Sequence, residues 1–424
     1  MGSSAWRFFL FLGIEILSET LGYTQERQTD GMTLEAVLQQ ARKSNLEIQQ
    51  ARESTKAAQE RSAQQPFFPD PEVGLAFWET PSHFANIGKA GERWLSLSQT
   101  IPLWGKQALR QGLAQGDVRI ADLEAQDTAR KVLSNAIRIY YDLVFAQQTL
   151  AIHHAQANLV EKIAQSVRQR LEVGQATQQD LLRVQGEWLE HANTAVVMER
   201  EIPLHIARLN ILLNRPTATP IETPPLSAAP EPVGSLEDLL RKAETSSPAN
   251  ALADALIGQS NAQVDFSRRE FLPDLMAEVA YVDVAQGQNQ WMTSLKMAIP
   301  WVHRGRYEAR IREEESNAAR ARLARQAVFN ETHLAVQDLF IQLQNHLRLI
   351  RLQQEGLLPL ARQVVESARI GYETQKNDLA ALMEAQRQLK ELEMRHVRAL
   401  ADAHAVVAEL KNRTGLDAPG GGHE

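Results

Sequence analysis

The chain repeats itself, and that limits the folds open to it more than any other feature. Thr33-Leu34-Glu35 opens one helical stretch with Leu34 and Leu38 on a face, and Ser235-Leu236-Glu237 opens another with Leu236 and Leu240. Phe67-Phe68-Pro69-Asp70 is matched by Phe271-Leu272-Pro273-Asp274, and Leu97 to Trp104 by Leu295 to Trp301 through Ile101-Pro102 and Ile299-Pro300. Matched residues stay about 200 positions apart throughout, which marks a duplicated unit rather than scattered coincidence. Each unit reads helix, two strands, long helix, turn, helix.

Proline placement gives the lengths. No proline lies between Leu103 and Ile202, whereas Arg215–Gly234 carries six, the composition of an extended, polyproline-like linker. From Gly105 to Val173 the residues are mainly Ala, Leu, Gln, Arg and Glu, all good helix formers. Apolar positions recur at three and four, as in Leu133, Ile137, Tyr140, Val144 and again Val160, Ile163, Val167, Leu171. A helix over that tract would be roughly 105 Å long at about 1.5 Å per residue. Such a helix needs partners along its length, so coiled-coil-like packing is implied. Gly305–Gly371 is a second tract of this kind, and Pro359 inside it predicts a kink. The resulting organisation is a leader and tail over 1–31, repeats over 32–214 and 235–414, the linker 215–234, and a C-terminal tail over 415–424.

The segments Glu72–Glu79, Arg93–Ile101, Leu275–Asp283 and Trp291–Ile299 alternate with period two and read as strands. Five of the seven tryptophans, Trp78, Trp94, Trp104, Trp291 and Trp301, sit in these strands or at their ends. Aromatic girdles at the two interfaces of a membrane β-barrel have this placement, and a soluble sheet capped by indoles is the other reading. Four strands cannot close a barrel. Three copies would supply twelve, an even number within the outer-membrane range.

Composition excludes more than it assigns. With no cysteine there is no disulfide, thiolate metal site, catalytic thiol or N-terminal lipid anchor on cysteine. A net charge of −7 without a basic cluster argues against nucleic acid as a partner. Mean hydropathy is −0.33, and no apolar run of helix-spanning length follows the N-terminus. Strands that alternate barely move that average.

The duplicated unit, the Pro-Asp approach to each strand pair and the segment Leu97-Ser-Gln-Thr-Ile-Pro-Leu-Trp-Gly-Lys106 resemble the TolC-like outer-membrane efflux channels. The likeness runs from about Met32 to Gly415, and its style is that of the CzcC- and CusC-type heavy-metal branch. It implies a mainly α fold with a small β part. It also implies a homotrimer with a twelve-stranded barrel in the lipid of the outer membrane and a long α-helical barrel in the periplasm. The implied partners are a periplasmic adaptor and an inner-membrane pump of the RND type. A periplasmic coiled-coil adaptor or scaffold is the alternative, although adaptors typically present one hairpin and this chain has two.

The resemblance also places the hairpin tips. Leu171-Glu-Val173-Gly174-Gln-Ala-Thr177-Gln-Gln-Asp180 is similar to the first tip, with Asp180 six residues past the glycine as the family commonly has it. In the second, Gln375 replaces the glycine and Asp378 follows. Tyr372 matches a tyrosine that some relatives use to latch the closed tip. Asn377 and Ala381 stand where those relatives can have a latching arginine and a gate aspartate, while Glu384 keeps an acid one turn on. Adaptor docking is expected at Val173, Gly174, Thr177, Gln375 and Asp378. Gating is expected at Asp180, Tyr372 and Glu384. A carboxylate repeated by threefold symmetry at a constriction favours cations; ordinary solvated acids on a helix face are the competing reading for Asp180 and Glu384.

Other chemistry is set aside. Adjacent His153 and His154 point to different faces of a helix, and Glu393-Met-Arg-His396 lacks the second copy that a di-iron bundle needs. These read as packed or surface histidines. No phosphate loop, nucleophile elbow or HExxH motif is present, so neither an enzyme nor a bound cofactor or metal is expected. Arg7 followed by Phe8–Ile14 has the regions of a signal peptide. Glu15 interrupts it and no clean cleavage site follows, which leaves a short amphipathic segment or a misassigned start as alternatives.

Overall fold

The computed structural model describes residues 31–79 and 89–415. Of the expected leader over 1–31 and tail over 415–424, residues 1–30 and 416–424 lie outside them. Each repeat begins with two helices where the pattern reads as one. α1 (Leu34–Ser44) starts at Thr33, whose side chain accepts from the Ala36 amide, and ends at Asn45, which caps α2 (Leu46–Gln64). Asn45 holds an extended backbone while its Oδ1 accepts from the Glu47 and Ile48 amides and its Nδ2 donates to the Leu212 carbonyl at 2.9 Å. In the second repeat the same break between α5 (Leu236–Ser246) and α6 (Pro248–Glu270) falls at Ser247-Pro248. Proline is tolerated there because the first helical amide has no intrahelical partner.

β1 (Glu72–Trp78), β2 (Glu92–Ile101), β3 (Leu275–Val284) and β4 (Gln290–Met297) form one antiparallel sheet in chain order. The two repeats therefore meet at the β2–β3 pairing, with Leu95 opposite Tyr281. Below the sheet, α3 (Lys106–Glu172) runs for 67 residues, roughly 100 Å at about 1.5 Å per residue. α4 (Gln178–Leu212) returns along it and continues across Pro203 on its exposed side.

In the second repeat the kink takes a specific form. α7 (Arg304–Leu352) passes into a π-helical turn over Gln353–Leu357, and α8 (Leu358–Glu373) begins with Pro359 in its first turn. Proline offers no amide to the carbonyl four residues back and its ring crowds that carbonyl, so the chain inserts a wider turn instead of breaking. α9 (Leu379–Thr414) then returns and ends at Gly415.

Three apolar clusters hold the helices together. One joins α1, α3 and α4 around Ile137, Leu143 and Leu209. A second joins α5, α7 and α9 around Leu343, Leu400 and Leu410. The third lies near the hairpin ends, around Val160, Val167, Leu379 and Leu382. The Arg215–Gly234 segment is extended and tied down. Gln147 of α3 donates to the Ile221 carbonyl at 2.8 Å and accepts from the Thr223 amide at 3.1 Å and hydroxyl at 2.6 Å. Among the described residues no helix is long and apolar enough to cross a membrane.

Candidate membrane sheet and hairpin gate

Strand register sorts the sheet into two faces of opposite chemistry. The cross-sheet row Leu75–Leu95–Tyr281–Trp291 is apolar from edge to edge, and Val73, Leu97, Val279, Leu295 and Met297 share its face. Most of these are exposed, Trp291 at 74% and Leu295 at 70%. The face ends at the far rim in an Arg93–Asp283 ion pair of 3.4 Å. The opposite face carries Ser96, Ser98, Glu278, Ser294 and Lys296, with the Glu278 carboxylate accepting from Ser294 at 3.0 Å and Lys296 at 2.5 Å. An antiparallel sheet ordinarily packs its apolar face on a core; here that face is exposed, as on the lipid side of a membrane barrel wall.

The tryptophans separate by the same parity. Trp291 lies on the apolar face, whereas Trp78 and Trp94 lie on the polar one, their rings 6.4 Å apart. Trp104 and Trp301 mark the junction with the helices; Trp104 donates its indole N–H to the Pro273 carbonyl at 2.9 Å. Trp291 lies near the start of β4 and Trp301 in the short 3-10 turn (Pro300–His303) past its end, so the two indoles bracket the strand. Beside that junction Lys106, only 4% exposed, links the repeats. Its Nζ lies 2.9 Å from Asp274 and donates to the Leu272 carbonyl at 2.6 Å.

At the far end, both hairpins turn by the same geometry on different residues. Gly174 takes the left-handed conformation at φ 74 and Gln375 takes it at φ 60. Glycine is free there; glutamine carries the steric strain of its Cβ. Thr177 and Asp180 then form a capping box that opens α4, with the Thr177 amide donating to Asp180 at 3.0 Å and the Asp180 amide to Thr177 at 3.1 Å. Asp378 caps α9 by accepting from the Ala381 amide at 3.0 Å.

The two tips are joined by Arg170, a residue that sequence reading does not single out. Its guanidinium lies 4.7 Å from the centre of the Tyr372 ring and donates to the carbonyls of Tyr372 and Glu373, each at 3.0 Å. It thereby meets the negative C-terminal end of α8. A basic residue in a last helical turn is an ordinary sequence feature, so only its partner in the other repeat reveals the clamp. Burial pushes the Tyr372 hydroxyl's pKa up and the nearby Asp180 carboxylate adds to this, while Arg170 opposes both. That hydroxyl is buried without a hydrogen-bond partner among the described residues.

Gly174, Thr177, Asp180, Tyr372, Gln375 and Asp378 thus line one cleft together with Arg170, a cavity of about 400 Å³. Val173 stands beside it, 68% exposed. Glu384 does not join them. It accepts from Arg387 at 3.0 Å and Gln388 at 2.9 Å, and Arg387 also pairs with Glu187 of α4. Among the described residues no group of three or more His, Asp or Glu side chains could hold a metal ion.

A sheet with a lipid face, set on two long helical hairpins, defines a membrane channel protomer with a helical conduit. The family described as "Outer membrane efflux protein" matches residues 37–214 and 239–416, one match for each repeat. The chain belongs to that family: it is a TolC-like, non-enzymatic outer-membrane efflux channel with a periplasmic helical part. It is 22% identical over 398 residues to the cobalt-zinc-cadmium resistance protein CzcC of Cupriavidus metallidurans, covering 89% of each chain. The CusC structure superposes with a TM-score of 0.75 at 15% identity over 90% of this chain and 91% of that one. VceC of Vibrio cholerae gives 0.76 at 16% identity, over 90% and 96%.

Proposed function

We propose that three copies of the chain form the outer-membrane duct of a tripartite efflux assembly that exports divalent transition-metal cations. The observation that carries the duct is the four-stranded sheet, apolar on one face and polar on the other, with β1 and β4 each paired on one side only among the described residues. Open strand edges are liabilities that barrels remove by closure. Three such sheets joined β1 to β4 close a twelve-stranded barrel, with the Glu278 face lining the pore. Trp291 then sits at the outer lipid interface, with Trp104 and Trp301 at the periplasmic one.

The hairpin tips, with Val173, Gly174, Thr177, Gln375 and Asp378, are the docking surface for a periplasmic adaptor, which brings an RND-type inner-membrane pump. Asp180 and Glu384 supply acids that threefold symmetry repeats around the constriction, and Tyr372 with Arg170 holds it closed. The metal substrate is supported by the similarity to CzcC and by these acids. In a planar bilayer, Asp180→Asn with Glu384→Gln should lower selectivity for cations over anions. Asparagine keeps a side-chain oxygen for the Thr177 amide, so a loss of the tip fold is not the expected cause. A strain lacking the chain should become sensitive to cobalt, zinc or cadmium. Unchanged metal tolerance, or unchanged selectivity in the double variant, would remove the substrate or the gate assignment respectively.

A further inference from the structure

The apolar packing of the hairpins is interrupted where the cluster at their ends gives way to those above it. Along α3 the buried positions run Leu143, Val144, then Thr149, His153 and Gln156, before apolar residues resume at Val160 and Val167. Opposite, α4 buries His191 between Val184 and Ala195. α9 brings buried Gln386 and half-buried Lys390 to the same stretch. Two turns further along α9, His396 meets Gln353 of the π-helical turn at 3.2 Å. A polar residue in a helical seam lowers stability and marks a specific register. Here several fall together, between the apolar cluster of the hairpin ends and the clusters above it.

Their polar atoms are poorly satisfied. Gln148 Oε1, Thr149 Oγ1, His153 Nδ1 and His191 Nδ1 are all buried without a hydrogen-bond partner among the described residues. His153 and His191 are 6% and 5% exposed, and their rings lie 5.8 Å apart across the α3–α4 interface. The charged groups around them come from three elements. α3 adds His154, α4 adds Glu187 and Glu190, and α9 adds Lys390 and Arg387. Lys390 acts on both rings, opposed at His153 by Glu190 and at His191 by Glu187 and then Glu190, although Glu187 is itself paired with Arg387.

We propose that His153 and His191 form a proton-operated release point: protonating the pair parts α3 from α4 at this level and frees the hairpin ends from the helices above. Two imidazolium groups this close, beside Lys390 and without acceptors for their Nδ1 protons, repel each other in a poorly hydrated seam. The effect is contained within one protomer and goes beyond the export reading without depending on it. Burial, then Lys390, lowers both pKa values below that of a free histidine. In the unfolded chain the groups titrate near about 6.5. The seam is therefore at full strength above that pH and weakens as pH falls through it toward the lower folded values.

Hydrogen exchange read by mass spectrometry on the full chain in detergent tests this between about pH 7.5 and about pH 5.5, after correction for intrinsic exchange. The wild type should lose protection several-fold over residues 148–172 and 178–195 on acidification, with residues 108–125 unchanged. His153→Gln with His191→Gln should abolish that pH dependence. Lys390→Gln leaves the pair in place, removes the cation beside it, and should move the transition to higher pH. The proposal is overturned if acid leaves the wild-type seam protected, if the double variant responds as the wild type does, or if Lys390→Gln moves the transition downward or not at all.

Discussion

Replacing Arg170 with alanine removes two hydrogen bonds to α8 carbonyls and the cation over the Tyr372 ring in one step. Hydrogen bonds from a charged donor contribute about 1.5–3 kcal/mol when buried; partial exposure of Arg170 reduces the pair to roughly 1–2 kcal/mol. The first and second hairpin ends then separate more readily, and single-channel conductance in planar bilayers should rise. Tyr372→Phe should change conductance little, because the hydroxyl it removes has no partner among the described residues while the ring under Arg170 stays. The reverse ranking of the two variants would show that the clamp is not what holds the tips. Gly174, Thr177 and Asp180 were placed at the tip by the family resemblance; the left-handed turn and capping box that they form there are local chemistry. Arg170 was not placed there, since its partners Tyr372 and Glu373 lie in the other repeat and nothing in its own neighbourhood points to them.

At the scale of elements, the strands and long helices were readable because each signal is periodic and bounded by proline. The breaks at Asn45 and Ser247 were not separated from the helical pattern although each carries a local signal, an asparagine N-cap bonded to the Glu47 and Ile48 amides and a serine before Pro248 at the start of the next helix; the bond from Asn45 to Leu212 adds a tertiary tie to the first. Face assignment within the sheet shows the same limit. Trp94 and Leu95 alternate by simple parity, but which parity is apolar emerges from neighbours across the sheet, Ser96 with Ala280 and Leu95 with Tyr281. The Arg215–Gly234 linker is extended as its prolines suggest, yet it is also an anchored element. Three of its bonds go to the single side chain of Gln147. Gln147→Ala leaves the Ile221 carbonyl and the Thr223 amide unpaired and should cost about 1–3 kcal/mol. A glutamate-specific protease should cut at Glu222 or Glu231 faster in that variant, with the helices intact by circular dichroism. Equal cleavage rates would mean that the burial of Ile221, 3% exposed, and the bonds from Met32, Gln148, Asn210 and His404 hold the segment without Gln147.

At the scale of the whole molecule, the sheet is an unfinished object. β1 has seven residues and β4 eight, so the two open edges are matched in length and can pair with each other between copies. The native chain has no cysteine, which makes engineered thiols unambiguous reporters of that pairing. Ala76 of β1 lies on the polar face, as do Gln290, Met292, Ser294 and Lys296 of β4, whereas Thr293 and Leu295 lie on the apolar one. A disulfide requires Cβ atoms about 3.5–4.5 Å apart, which opposed residues on one face satisfy and residues on opposite faces do not. Ala76→Cys combined in turn with a cysteine at each of the four polar-face positions should therefore give one combination that oxidises to covalent trimers on a denaturing gel. Ala76→Cys with Thr293→Cys should stay monomeric under the same oxidant. Because strand register shifts every side chain in steps of two on a given face, the position that links also sets the register of closure. If none of the four links while the protein is in outer membrane, β1 and β4 do not meet and the barrel is closed some other way. If Thr293→Cys links instead, the face carrying Glu278 is not the one that Ala76 shares with its neighbour, and the assignment of pore and lipid sides falls with it.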